Sequence, residues 1–219
     1  PTFYPMADGG VVARGVQMSF SFRTGVRKSF VEDLVFTFDR QGRIDNVAFG
    51  LGKLAEDDIL MKGVWSETAR KVLMAFLENY KTAYALKRLD YISTIFDDDA
   101  VIIVANVAQR ASNQLPDQGA TFTNNKIIRY NRYSKDLYLK NLARCFNSNE
   151  YINIRFEDND VMKMSKGGET YAIQISQDYY SSSYGDKGYL FLIVDVNDPQ
   201  RPQLVSSLTS LTSLTSSEA

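Results

Sequence analysis

Histidine is missing from all 219 residues, and cysteine occurs once, at Cys145. Without histidine there is no Ser–His or Cys–His nucleophile and no His-ligated zinc or iron centre. One cysteine forms neither an internal disulfide nor a CxxC redox pair. Acid–base work is left to Asp, Glu, Lys and Tyr, and nothing in the sequence calls for a metal or another cofactor. A charge excess is lacking too: 25 Lys and Arg against 26 Asp and Glu leave a net charge of −1. That balance gives nucleic acid or an anionic membrane no electrostatic foothold, so neither is expected as a partner. No apolar run approaches the roughly 20 residues of a membrane-spanning helix. The start at Pro1, with no basic and apolar leader behind it, reads as a removed leader or an excised piece.

What is present is ordinary globular composition, 44% hydrophobic with 13 Tyr and 13 Phe, enough for one sizeable core. Residues 1–10 read as an irregular lead-in. In VQMSFSFR, period-two alternation puts Met18, Phe20 and Phe22 on one face of a strand. Phe30 to Phe38 and Ile44 to Phe49 read as a hairpin around Asp39-Arg40-Gln41-Gly42. Residues 11–52 are therefore expected to form a small antiparallel β segment, which must pack on something to bury its apolar face.

After a connector with a short helix, Ser66 stands at an N-cap with Glu67 in the first turn. Val72, Leu73, Phe76, Leu77, Tyr80, Ala83 and Tyr84 recur at helical spacing, which predicts an amphipathic helix over 66–87. A shorter helix over 89–96, a turn at Asp97-Asp98-Asp99 and a β-branched strand over 100–107 follow. Residues 109–125 read as a polar loop and 126–133 as a strand. Ser134 then caps a helix with Tyr138, Leu142, Cys145 and Phe146 on one stripe. Strands are expected at 151–156, 161–164, 171–180 and 189–196, with a last one near 203–205. Turns are placed at Glu157–Asp160, at Lys166-Gly167-Gly168 and at 181–188. The Leu-Thr-Ser repeat in 206–219 has period three, which suits neither helix nor strand; it is read as disordered or as an artificial extension.

The stretch Phe76 to Val104 (FLENYKTAYALKRLDYISTIFDDDAVIIV) sets an aspartate cluster between a short helix and a strand. With the order of elements around it, it resembles the nuclear transport factor 2-like superfamily, which includes SnoaL-like cyclases and ketosteroid isomerases. The resemblance covers residues 66–205. Within the superfamily the chain looks most like exported proteins of gut Bacteroidetes, and 30–50 resembles the closing hairpin of a second such domain. What this implies is an α+β domain over 53–205: a curved antiparallel sheet wrapped on the long helix as a cone, preceded by the small β segment. The implied pocket lining is Tyr80, Tyr84, Phe96, Ile102, Val104, Tyr171 and Phe191. In the isomerase branch a carboxylate moves the proton and a hydroxyl steadies the oxyanion. Laid on this chain, the hydroxyl position falls on Tyr80, but the base position falls on Val104, which cannot take a proton.

Several other groups carry two readings. Asp97–Asp99 can hold a divalent cation or make a turn. Asp158-Asn159-Asp160 lacks the glycine and glutamate of an EF-hand loop. The basic and aromatic residues of 126–144 can contact single strands or simply flank a strand–helix junction. Tyr179, Tyr180, Tyr184 and Tyr189 suit a contact surface or an inner wall, and Cys145 an inert thiol. The expectation is a non-catalytic ligand-binding or protein-assembly module of an exported bacterial protein, taking a small apolar ligand or a protein partner. The alternatives are an isomerase or lyase using Asp and Tyr in the cone, and a homodimer formed through the sheet.

Overall fold

The computed structural model describes residues 1–22, 28–61, 65–109, 120–123, 126–164 and 168–213. Four strands open the chain: β1 (Thr2–Pro5), β2 (Val11–Phe22), β3 (Lys28–Phe38) and β4 (Ile44–Phe49). They form an antiparallel meander in sequence order. Asp39 closes the β3–β4 turn by accepting from the backbone N–H of Gln41 and Arg43, both at 2.9 Å. Gly42 takes the positive φ of 75° that this turn requires. The lead-in expected at 1–10 is therefore corrected: Thr2–Pro5 pairs with Val11–Arg14 as an edge strand.

Three helices follow, α1 (Lys53–Leu60), α2 (Glu67–Ala85) and α3 (Leu89–Ile95). Ser66 caps α2 by accepting from Ala69 N–H at 3.1 Å. The second sheet contains β5 (Phe96–Gln109), β6 (Ala120–Thr123), β7 (Lys126–Tyr133), β8 (Ile152–Lys163), β9 (Thr170–Ser181), β10 (Gly185–Asp195) and β11 (Gln203–Ser213); α4 (Lys135–Ser148) joins β7 to β8. Its order is β6-β7-β5-β11-β10-β9-β8, antiparallel throughout except that β11 lies parallel to β5. The α+β cone that the resemblance implies is the fold observed, with α2, α3 and α4 on its inner side sharing one core with the sheet.

Three local expectations are overturned. Asp97–Asp99 is no turn, because β5 already begins at Phe96; Lys135 holds Asp98 at 2.7 Å and so ties the strand to α4. Glu157–Asp160 is no hairpin, because β8 runs straight through with a bulge between Phe156 and Asn159. The repeat is no disordered tail up to Ser213, because it fills the middle of the sheet, paired to β10 on one side and β5 on the other. Both neighbours satisfy its backbone, so its weak side-chain pattern suffices. The register is fixed by Leu204, fully buried beside a bulge at Leu204/Ser206, since a three-residue slip within the repeat would present identical side chains. Of the Lys166-Gly167-Gly168 turn, residues 166 and 167 lie outside the described residues.

Helix α2 is covered on two sides. Leu73, Phe76, Leu77, Tyr80 and Tyr84 face the cone core, and the polar Glu78, Lys81 and Thr82 are buried as well. The first sheet supplies the cover. Lys81 Nζ donates to Glu32 Oε2 at 2.8 Å and to the Gly50 carbonyl at 3.1 Å. Asn153 on β8 donates to the other oxygen of Glu32 at 2.6 Å, and Arg155 lies 3.5 Å from it. Thr82 Oγ1 accepts from Phe49 N–H at 2.8 Å and donates to the Glu78 carbonyl. Phe22 stacks on Tyr151 at 4.4 Å and Phe30 tilts against it at 5.4 Å.

Truncating one partner of such a pair strands a buried charge, whereas replacing both by apolar residues need not. Glu32→Ala is thus expected to lose about 3–5 kcal/mol in urea denaturation, and the double variant Glu32→Leu/Lys81→Met most of that less. Equal losses would show that the pair does not anchor the first sheet. Leu204→Ala is expected to cost about 2–5 kcal/mol in the same assay.

Candidate functional site

The cone interior was the expected site. Tyr80, Tyr84, Phe96, Ile102 and Tyr171 all sit in its core, each no more than 5% exposed. They pack on one another and on neighbouring rings, and none of them lines either cleft described below. Tyr80 packs on Tyr84 (4.7 Å between ring centres), Phe156 (6.3 Å) and Phe76 (6.4 Å). Tyr84 meets Phe146 edge-on at 5.9 Å, Phe96 meets Tyr138 at 5.5 Å, and Trp65 meets Tyr171 at 4.9 Å. Val104 follows Ile102 on the inner face of β5, opposite Thr209 and Asn131, but is only half-buried. Phe191 is a correction. Leu190 and Leu192 on either side of it point into the core, so strand alternation turns Phe191 to the outer face.

Three phenols form a buried chain. Tyr80 donates to Tyr84 at 3.2 Å, and the Tyr84 and Tyr138 hydroxyls are 2.5 Å apart. Burial pushes all three above the ordinary tyrosine range, Tyr138 to about 12, so they stay protonated at neutral pH. Among the described residues no carboxylate is hydrogen-bonded to this chain. Glu78 is two residues from Tyr80, about 200° around the helix, and serves the first sheet instead. Sequence reading missed one acid inside the cone: Asp186 on β10, fully buried, accepts from Tyr184. It lay in what read as a loop, because the 182–184 turn is tighter than the sequence suggests. Cys145 is half-buried, with Sγ 3.6 Å from the Tyr179 hydroxyl. Tyr133 and Tyr138 of the basic stretch pack against the core, whereas Tyr189 of the tyrosine-rich hairpin is 56% exposed.

Open space lies on the other side of α2. A cleft of about 640 Å³ runs between the first sheet and helices α1 and α2. Tyr4, Met6, Val12, Val35, Leu60 and Met74 give it apolar walls. On its floor Arg14 bridges two carboxylates, with Nε 3.1 Å from Glu56 and one terminal nitrogen 3.3 Å from Glu78. The exposures of these side chains are 13% for Arg14, 13% for Glu56 and 6% for Glu78. Leu51 N–H also donates to Glu78, at 3.2 Å. Burial raises the Glu78 carboxyl above the usual range and Arg14 pulls it part of the way back. At the rim Lys53 pairs with Asp57 at 2.8 Å and Lys71 with Glu67 at 2.5 Å. A second cleft, about 600 Å³, opens between α2, α3 and residues 199–203. No sequence pattern announced the first cleft, since Arg14 and Glu78 are 64 positions apart.

No family model matches the chain, and no curated protein matches it. Solved structures with a similar fold include the β subunit of a putative aromatic-ring-hydroxylating dioxygenase from Novosphingobium aromaticivorans, 16% identical, covering 68% of this chain and 92% of that one, TM-score 0.48. Nuclear transport factor 2 from Cryptosporidium parvum is 7% identical over 67% of this chain and 97% of its own, TM-score 0.45. Bd1075 from Bdellovibrio bacteriovorus is 12% identical over 67% of this chain, TM-score 0.47, and the match spans 41% of that protein. Such distances concern fold, and a shared fold does not carry a shared activity.

The raised carboxyl gives a pH signature. Native Glu78 holds its proton more tightly than the unfolded chain does, so its contribution to stability is greatest at or below the unfolded-state value. It is lost as pH rises through the native value. The stability of the natural chain relative to Glu78→Gln is expected to grow as pH falls from 7 toward about 4.5, in denaturant titrations at fixed pH. A gap that shrinks over that window contradicts the assignment.

Proposed function

We propose that this chain is a non-catalytic binding module that takes a small, largely apolar ligand in the cleft outside the cone. The observation that supports this reading is the packed interior: among the described residues no carboxylate is hydrogen-bonded to the chain of Tyr80, Tyr84 and Tyr138, and Asp186, the acid inside the cone, is held by Tyr184. The position where the isomerase branch keeps its base is Val104, beside Thr209 and Asn131. A hydroxyl that binds an oxyanion accelerates nothing without a group to move the proton. The cleft offers apolar walls with a few convergent polar groups, the usual make-up of a small-molecule site. Export is part of the proposal through the resemblance of 66–205 to exported proteins.

An assembly role is the second reading, favoured by the outer sheet face. There Phe191 stands across from Leu208 and follows the exposed Tyr189 at the next outward position. Light scattering across a concentration series checks it, a monomer at every concentration excluding assembly through this face.

The test of non-catalysis is proton exchange. The protein is incubated in D2O with a β,γ-unsaturated ketone and with a β-hydroxy ketone, and proton NMR follows the α-carbon. Exchange and product formation are expected at the buffer rate. Exchange above that rate, abolished by Tyr80→Phe, would establish the enzyme reading instead.

A further inference from the structure

The second cleft, between α2, α3 and residues 199–203, differs in make-up from the one against the first sheet. No carboxylate lines it, and its cations are Lys71 and Arg201. Lys71 is already held by Glu67 at 2.5 Å. Arg201 closes a turn that the chain fixes locally. Asp198 accepts from Gln200 N–H through Oδ1 at 3.0 Å and from Arg201 N–H through its carbonyl at 3.1 Å. Pro199 presets the backbone of the turn's second residue, and Pro202 favours extended backbone at Arg201. Among the described residues no hydrogen bond or ion pair involves the Arg201 guanidinium, the half-buried Asn79 amide or the half-buried Tyr91 hydroxyl, all of which line this cleft. Three acids stand nearby and each is committed elsewhere: Glu67 to Lys71, Asp90 to Arg88 at 3.8 Å, and Asp198 to its own turn.

We infer that this cleft binds a small hydroxylated organic acid of the sugar-acid kind, its carboxylate on Arg201 and its hydroxyls on Asn79, Tyr91 and Gln200. A guanidinium presents paired N–H donors that match a carboxylate in one plane. A side-chain amide both donates and accepts, as a hydroxyl does, so Asn79 and Gln200 suit a polyhydroxylated body. Val72, Ala75 and Pro202 leave a modest apolar surface for the face of a ring. The volume of about 600 Å³ falls within the range of about 300–1,000 Å³ usual for small-molecule sites. The site is additional to the apolar cleft proposed above. Lys71, Ala75 and Asn79, one row of α2, form the ridge between the two.

A titration of the full chain followed by proton–nitrogen NMR tests the inference with three probes of one size: D-glucuronate, the neutral D-glucose and the cationic D-glucosamine. Glucuronate is expected to bind about three- to tenfold more tightly than glucose, with glucosamine weakest, as suits one partly exposed charge-assisted contact. Shifts are expected at Gln200, Arg201 and Gln203 and not at Val12 or Leu60, which line the other cleft alone. Arg201→Gln should erase the preference for glucuronate and leave glucose unchanged. That variant is expected to fold as the natural chain does, because the Arg201 side chain holds no other element. Equal affinity for glucuronate and glucose overturns the inference, and so does the absence of shifts at 200–203 with all three probes. Either result leaves the reading of the apolar cleft standing, since none of these probes is apolar.

Discussion

Lys81 and Glu32 are 49 residues apart in the chain, and their charged groups sit 2.8 Å apart with almost no solvent on either. Much else depends on that contact. It places the first sheet on the polar side of α2, so the helix lies between two sheets and most of its second half is buried. Asn153 draws β8 into the same cluster. A buried ion pair contributes little net stability beside an apolar substitute, but it tolerates few other arrangements. Here it joins β3 of the meander to α2, with Asn153 of β8 on the same carboxylate.

Enclosure has a functional consequence. The inner side of α2 is committed to Tyr80, Tyr84 and their ring neighbours. A cleft lies at the seam between the first sheet and α1–α2, where an arginine and two glutamates are kept nearly dry. Those polar groups also hold the first sheet onto α1 and α2.

The C-terminal strand shows how little side-chain information a central strand needs. A Leu-Thr-Ser repeat has the wrong period for any face, yet β10 and β5 satisfy its backbone on both edges. Leu204 and its bulge then set the register. Strand pairing dominated over side-chain pattern there. At Asp97–Asp99 and at Glu157–Asp160 the acidic residues, which favour turns locally, lie within β5 and β8 beside register shifts in the pairing with β11 and β9.

The sequence by itself determined the local elements whose signals are short-range. The 3.6-residue period and the Ser66 and Ser134 caps located α2 and α4, and period-two alternation located the second half of β2. The absence of histidine set the limit on chemistry. Burial of Tyr80, Tyr84, Phe96, Ile102 and Tyr171 was also legible, because large apolar side chains must leave water somewhere. Only the tertiary structure decided which way Phe191 points, that Asp186 is enclosed, and that Arg14 meets Glu56 and Glu78. Those outcomes rest on strand register and sheet docking. Such contacts join residues tens of positions apart, and periodicity along one segment carries no record of them.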